Sequence, residues 1–259
     1  GDVYKRQAQE PMERAREVFF HRELAPEPFE PAEIPIVYED EHLLVVAKPR
    51  TMASIPRGEH IRRSALVRLR VAHGLPDLSP IHRLDKQTGG ILVLSKIPQE
   101  RGAYQQLFSR GEVQKRYVAW VSGEGPTLAE LERGPIEIRE PIVKRHGDLW
   151  AHIDPNGKEA LTSVRMMRRE AQSRRSLVSL VPHTGRTHQL RVHLAHVGLP
   201  IVGDELYPAP APDPATGERS RRDVSEPLAL WSVLMAFTDP VTGKERRFEW
   251  WPPEVPGDD

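Results

Sequence analysis

The stretch Ile81-His82-Arg83-Leu84-Asp85-Lys86-Gln87-Thr88-Gly89-Gly90-Ile91-Leu92-Val93-Leu94-Ser95 constrains the fold more than any other part of this chain. A charged segment with one carboxylate runs into Thr-Gly-Gly and then into an unbroken apolar run. A short apolar run bounded by turn residues reads as a buried strand. The paired glycines supply positive φ or close backbone approach, and so a sharp lead into that strand. Asp85 is then displayed on a short, anchored loop beside Arg83 and Lys86. Positive neighbours favour an ionised carboxylate, the form a nucleophile or general base needs. The plain alternative is a carboxylate that caps a turn and is ion-paired at the surface.

Around this segment the pattern alternates between strand and helix. Leu43–Ala47 and Ile91–Ser95 read as buried strands. Tyr117–Val121, Ala160–Val164, Leu177–Val181, Leu228–Phe237 and Arg247–Trp250 are further strand candidates. Ser64 to His73 reads as a basic helix ended by Gly74 and Pro76. Gln99 to Arg110 is amphipathic, with Ala103, Tyr104, Leu107 and Phe108 on one face and Gly111 at the C-terminal cap. Residues 1–35 are polar and hold five prolines, so a short helix at 11–22 and a partly flexible leader are expected there. The chain begins without methionine, and its first seven residues are read as a cloning or assembly remnant. Pro208 to Pro227 also holds five prolines among many charges and reads as a surface loop or flap. One catalytic-size domain at 36–251 and a disordered tail at 252–259 complete the expectation, with no internal repeat.

Composition narrows the function. Without cysteine there are neither disulfides nor thiolate metal sites. No apolar run approaches a membrane span and the N-terminus lacks a secretory apolar core, so a cytoplasmic location is expected. The 37 basic and 37 acidic residues cancel, which by itself argues mildly against a nucleic-acid partner. Their distribution matters more. Basic residues cluster at Lys48–Arg70, Lys144-Arg145, Arg165–Arg175 and Arg186–Arg191, enough for a local binding face on a neutral molecule.

A second informative stretch is His183-Thr184-Gly185-Arg186-Thr187-His188-Gln189-Leu190-Arg191-Val192-His193-Leu194-Ala195-His196-Val197-Gly198. Thr184-Gly185-Arg186 reads as a turn, and Thr187 as the N-cap of a helix running to Gly198. Leu190, Leu194 and Val197 form its buried stripe. Arg191 lies early in the helix and off that stripe, where it can pair bidentately with a carboxylate or a phosphate. The histidines 183, 188, 193 and 196 are spaced five, five and three apart, not as the i, i+4 pair of a zinc-protease helix. No metal site is expected.

Three segments together carry a family resemblance. His82-Arg83-Leu84-Asp85 with Thr88, Gly90 and the apolar strand resembles the central motif of the RluA-type RNA pseudouridine synthases. Glu39-Asp40-Glu41-His42-Leu43-Leu44-Val45-Val46-Ala47-Lys48-Pro49 is similar to the family's first strand and Lys-Pro loop. The 183–198 stretch, followed by Pro200-Ile201-Val202-Gly203-Asp204, is similar to its third signature. The resemblance covers about residues 36–250.

What it implies is an α/β (α+β) pseudouridine synthase-like fold, a mixed, largely antiparallel sheet with flanking helices and a central active-site cleft. The implied activity breaks the glycosidic bond of a uridine, turns the uracil over and rejoins it through carbon-5. That chemistry uses no metal, nucleotide or redox cofactor, and the chain has no phosphate-binding glycine loop. Asp85 is implied as the catalytic carboxylate, either nucleophile or base in a glycal route. Arg191 is implied as its ion-pair partner and Tyr117 as the aromatic that stacks on the splayed-out base. Arg83 is expected to reach RNA, filling the gap left by a flipped nucleotide. Lys48, Arg186, His188 and Gln189 are expected substrate contacts, and Leu228 and Leu230 the lining of a uracil pocket. Ordinary structural roles stand beside these: a half-buried strand tyrosine, a surface salt bridge for Arg191, a turn at Lys48-Pro49 and core packing for the leucines.

The expected partner is structured ribosomal or transfer RNA, with no membrane, no protein partner and a monomeric enzyme. Only about 35 residues precede the first motif, too few for the small basic RNA-binding domain many relatives carry in front. Gly89 stands where the family most often has Ser, Thr51 where the Lys-Pro loop often has Gly, and Leu230-Trp231-Ser232 in place of a common Leu-His-Ala. Two other classes remain open. A non-catalytic RNA-binding module has no need of Asp85, Tyr117 and Arg191 together. A carboxylate-dependent glycosidase needs two carboxylates about 5–9.5 Å apart, and only one lies in the central signature.

Overall fold

The computed structural model describes residues 33–56, 63–124, 126–170, 172–212 and 219–257. Most of the leader, with the helix expected at 11–22, lies outside them. In chain order the elements are β1 (Ile36–Glu39), β2 (Leu43–Lys48), α1 (Ala65–His73), β3 (Ser79–Pro80), β4 (Gly89–Ser95), α2 (Arg101–Arg110), β5 (Gln114–Ser122) and α3 (Pro126–Arg133). They continue with β6 (Ile136–Ile138), β7 (Ile142–Val143), β8 (His152–Ile153), β9 (Thr162–Glu170), β10 (Arg175–Pro182), α4 (Gln189–His196), β11 (Leu230–Thr238) and β12 (Glu245–Glu249).

The main sheet runs β1-β2-β4-β11-β5-β10-β9-β6, with β12 also on β11 and β3 on β4, while β7 and β8 form a separate ribbon. Its pairings are antiparallel except for β4 with β11. That parallel seam joins two halves, and the expected mixed sheet with flanking helices is what the chain forms.

The apolar runs are buried because helices cover both faces of the first half. Leu44, Val46, Leu92 and Leu94 meet Leu66 and Leu69 of α1. Their strand neighbours Leu43, Val45, Ile91 and Val93 point the other way, onto Tyr104 and Leu107 of α2. Ser64 caps α1 by accepting from the Val67 N–H, and Gly74 and Gly111 close α1 and α2 in the left-handed region. At the seam, Gly90 has φ +97° and a Cβ there would sit 2.1 Å from the Ser232 carbonyl oxygen. No side chain fits, which accounts for the glycine before the apolar run.

Two expectations are corrected here. The helix of the third signature begins at Gln189 and not after Thr187. His188 takes the N-cap position with φ +57°, and the helix is buried around nearly its whole surface instead of along one stripe. The segment from Pro252, expected to be disordered, packs back onto the core through Pro252 and Val255. Val255 is only 4% exposed within the main core cluster, and Glu254 accepts a hydrogen bond from Arg50. An apolar residue with a core cluster to join overrides the polar, proline-rich context that suggested disorder. The 208–227 loop is irregular where described, but Arg222 ties it down by donating to the Tyr207 carbonyl at 3.0 Å.

Candidate active site

The loop carrying Asp85 is held at four points before it enters β4. The Val93 N–H donates to His82 Nε2 at 3.1 Å, and the His82 ring stacks on Phe108 at 4.9 Å. Ser54, buried, both donates to the Leu84 carbonyl and accepts from the Leu84 N–H. Lys48 Nζ donates to the Lys86 carbonyl at 3.2 Å, and the Thr88 N–H closes the turn onto the Asp85 carbonyl at 3.1 Å. Because His82 Nε2 accepts, its ring is neutral, and burial pushes its imidazole down to about 3. The result is a rigid backbone presenting a half-buried carboxylate.

Asp85 lies where two cavities meet. The first, about 300 Å³, is walled by Asp85, Tyr117 of β5, Leu230 of β11 and the 182–191 segment that leads into α4. The second, about 430 Å³, shares Arg83, Leu84, Asp85, His188 and Arg191 with the first. Asp85, Tyr117, Arg191, Arg83, Arg186, His188, Gln189 and Leu230 thus come together at the seam of the sheet. Burial, and next the charge of Asp85, push the Tyr117 phenol up to about 12, so it stays protonated and its ring is an uncharged stacking surface.

Other expected contacts stand elsewhere. Lys48 is 1% exposed and cannot reach RNA. Its ammonium donates to the carbonyls of Pro49, Met52 and Lys86, and burial pushes it down to about 7 despite the nearby Asp85 charge. Leu228 is fully buried and does not line the cavity that Leu230 lines. Gln189 borders the cavity, but its amide is committed to the loop. It donates to Leu161 O and Thr162 Oγ1 and accepts from Thr184 and the Arg186 N–H.

Arg191 is the main correction. Its guanidinium forms a bidentate pair with Asp204 at 2.8 and 2.6 Å, not with Asp85, and it is 3% exposed. Asp204 also accepts from the Leu206 and Tyr207 N–H groups. Burial works against the charge on Arg191, but Asp204, and after it Asp85, keep the guanidinium protonated. Arg191 therefore presents a fixed positive charge near Asp85 while its hydrogen bonds go elsewhere. Nothing in the sequence pattern marks Asp204 as the partner of Arg191. The carboxylate lies thirteen positions beyond Arg191, and only the fold of α4 and the following turn brings the two together. His82, Ser54 and Tyr207 were likewise missed, since each acts through a backbone contact or a distant partner.

Three of the four histidines of the third signature have separate partners. His183 contacts Ser163, His188 contacts Tyr207, and His193 bridges Thr162 and the Glu140 carbonyl. Among the described residues no group of three or more His, Asp or Glu is arranged to hold a metal ion, and no helix is long and apolar enough to cross a membrane.

Comparison with known proteins brings these features together. The family described as RNA pseudouridylate synthase matches residues 42–196, which include the Asp85 loop, Tyr117 and α4. The dual-specificity RNA pseudouridine synthase RluA of Vibrio parahaemolyticus is 34% identical over 208 residues, covering 79% of this chain and 78% of that protein. Ribosomal large subunit pseudouridine synthase C of Vibrio vulnificus is 32% identical over 210 residues. That alignment takes 80% of this chain but 62% of the relative, so the chain spans less than two thirds of it. Among solved structures, human RNA pseudouridylate synthase domain containing 1 shares the fold with a TM-score of 0.69, at 24% identity over 89% of this chain and 88% of that one. With the family match extending over more than half of its length, and an RluA relative aligned over most of both proteins, the chain belongs to the RluA-type RNA pseudouridylate synthases.

Proposed function

We propose that this chain isomerises a specific uridine in structured ribosomal or transfer RNA, with Asp85 as the carboxylate that acts on the nucleoside. The observation that carries this reading is the first cavity. Among its described lining residues Asp85 is the only carboxylate, and it faces an uncharged tyrosine ring and a leucine. Tyr117 stacks on the base, Leu230 supports it from the seam, and Arg191 places a fixed positive charge near Asp85. Nucleophilic attack and removal of a ribose proton both need that unprotonated oxygen. Arg83, exposed at the mouth of both cavities, and Arg186 hold the RNA strand. The enzyme works as a cytoplasmic monomer, without cofactor or protein partner. A glycosidase reading lacks its second carboxylate in this cavity.

Pseudouridine mapping across total RNA from cells with and without the gene tests the activity and finds the target. Sites lost on deletion return with the wild-type gene and stay absent with Asp85→Asn, which keeps shape and removes the anionic oxygen. Restoration of the sites by Asp85→Asn would overturn the assignment.

A further inference from the structure

His188 has three unusual features at once. Its backbone sits at φ +57°, ψ 18°, a conformation non-glycine residues rarely hold and that clusters at functional positions. Its side chain forms part of the wall of both cavities beside Asp85. Its Nδ1 lies 2.9 Å from the Tyr207 hydroxyl.

The hydroxyl decides which ring nitrogen carries the proton. Tyr207 is buried, and its oxygen already accepts the Ala151 N–H at 2.7 Å. Burial raises the phenol above its ordinary value, so it keeps its proton. Among the described residues, the acceptor placed to receive that proton is His188 Nδ1. Nδ1 is therefore unprotonated, and the ring proton sits on Nε2, on the edge facing away from Tyr207. Burial also holds the imidazole below its ordinary value, against the pull of Asp85. Tyr207 is itself fixed by Asp204, which accepts its N–H, and by the Arg191 guanidinium 5.3 Å from its ring.

We propose that His188 is a preset, neutral Nε2–H donor to a carbonyl oxygen of the target uracil, with Tyr207 as the positioning residue that sets its tautomer. The inference rests on the first cavity being the uridine site. When the N1–C1′ bond breaks, its electron pair stays on uracil N1 and spreads to the carbonyl oxygens. A fixed donor aimed at one of those oxygens stabilises the detached base without giving up its proton, as oxyanion-hole donors do. A cationic ring there would instead be drawn into an ion pair with the Asp85 carboxylate.

The test uses the full-length enzyme and a synthetic stem-loop carrying the uridine found by mapping. Under single turnover at saturating enzyme, His188→Leu should slow isomerisation by about 10²-fold with little change in RNA affinity. His188→Gln, which keeps an N–H near the Nε2 position, should recover most of that rate. With 2-thiouridine or 4-thiouridine at the target, the penalty of His188→Leu should shrink for the oxygen that is contacted, because sulfur is the weaker acceptor. Nitrogen-15 NMR at pH 7 should show His188 protonated on Nε2 alone, and Tyr207→Phe should mix the tautomers. Normal turnover at saturation by His188→Leu, with weakened RNA binding, would place His188 on the phosphate backbone and overturn the proposal. So would an Nδ1–H ring, or a His188→Leu penalty unchanged by either thio-substitution. A Tyr207→Phe enzyme that keeps the pure Nε2–H form would remove Tyr207 from it. Asp85→Asn is run alongside: if it stays active the site reading itself fails, whereas an inactive Asp85→Asn with a normal His188→Leu defeats this inference alone.

Discussion

Gly89→Ser restores the residue the RluA-type pattern most often has, yet this structure predicts that it destabilises the protein. A Cβ on Gly89 would lie 2.8 Å from Trp231 Cδ1 and 3.0 Å from Arg50 Cγ. Ordinary carbon contacts are about 3.5–4.0 Å, so the indole would have to retreat by roughly 0.7 Å. It has nowhere to go: Trp231 is buried, and Arg50 lies over its ring at 4.6 Å while donating to Leu228 O and to Glu254. Overpacking of this kind costs about 1–3 kcal/mol. Position 231 is another departure, Trp in place of a common His, and the two departures touch. A histidine ring lacks the benzo portion that locks the indole in the core, so it can yield to a side chain at 89. Trp231→His alone should lose about 2 kcal/mol or more of buried packing. The double variant should then be at least about 1 kcal/mol more stable than the sum of the two single losses, as residues in contact show. Urea denaturation of the four proteins gives the cycle directly. Additivity within about 0.5 kcal/mol, or a neutral Gly89→Ser, would refute the coupling.

Lys48→Met should destabilise by about 2–3 kcal/mol, since three carbonyl acceptors lose their donor at about 1 kcal/mol each, and should lower turnover more than RNA affinity; equilibrium unfolding and filter binding check both. Asp204→Asn leaves a buried guanidinium without its counter-charge and should cost about 3–5 kcal/mol, with part recovered in the Arg191→Met double variant, again by denaturation. The depressed His82 gives the native state fewer bound protons than the unfolded chain below pH 6.5. Its stabilisation is therefore present above 6.5 and is lost as pH falls toward about 3, by about 1.4 kcal/mol per pH unit where only the unfolded state is protonated. Unfolding free energies between pH 7 and 4 should show that loss, and a His82→Gln variant should show a shallower slope.

Much of this architecture was legible because its signals are local. Buried strands at 43–48 and 89–95 announce themselves as apolar runs, and Gly74 and Gly111 mark helix ends by the conformation they alone adopt easily. Short strands such as β1, β6, β7 and β8, and the helix α3, were not foreseen, because two to eight residues carry too little periodicity. At the site, motif and resemblance point to Asp85, Tyr117 and Arg191, which line one cavity, but not to the partner of Arg191. Whether Arg191 faces Asp85 or Asp204 depends on how a loop after α4 returns, which no spacing rule encodes. Lys48 misled for a related reason: a lysine is ordinarily a surface cation, and only three convergent carbonyls make its burial tolerable.

The parallel seam also bears on the order of folding. β4 and β11 are joined through a long intervening stretch of chain, whereas β2 with β4 and β9 with β10 are antiparallel and closer in sequence. Distant pairings must meet the entropy of loop closure before they return any contact energy, so they form late. The core under α2 takes Met235, Phe237 and Phe248 from across the seam, and the cavity takes Leu230 and Tyr117 from one side of it and the Asp85 loop from the other. Capacity to hold a uridine therefore arrives with the last long-range closure, and a chain caught before that step has neither pocket nor poised carboxylate with which to engage RNA.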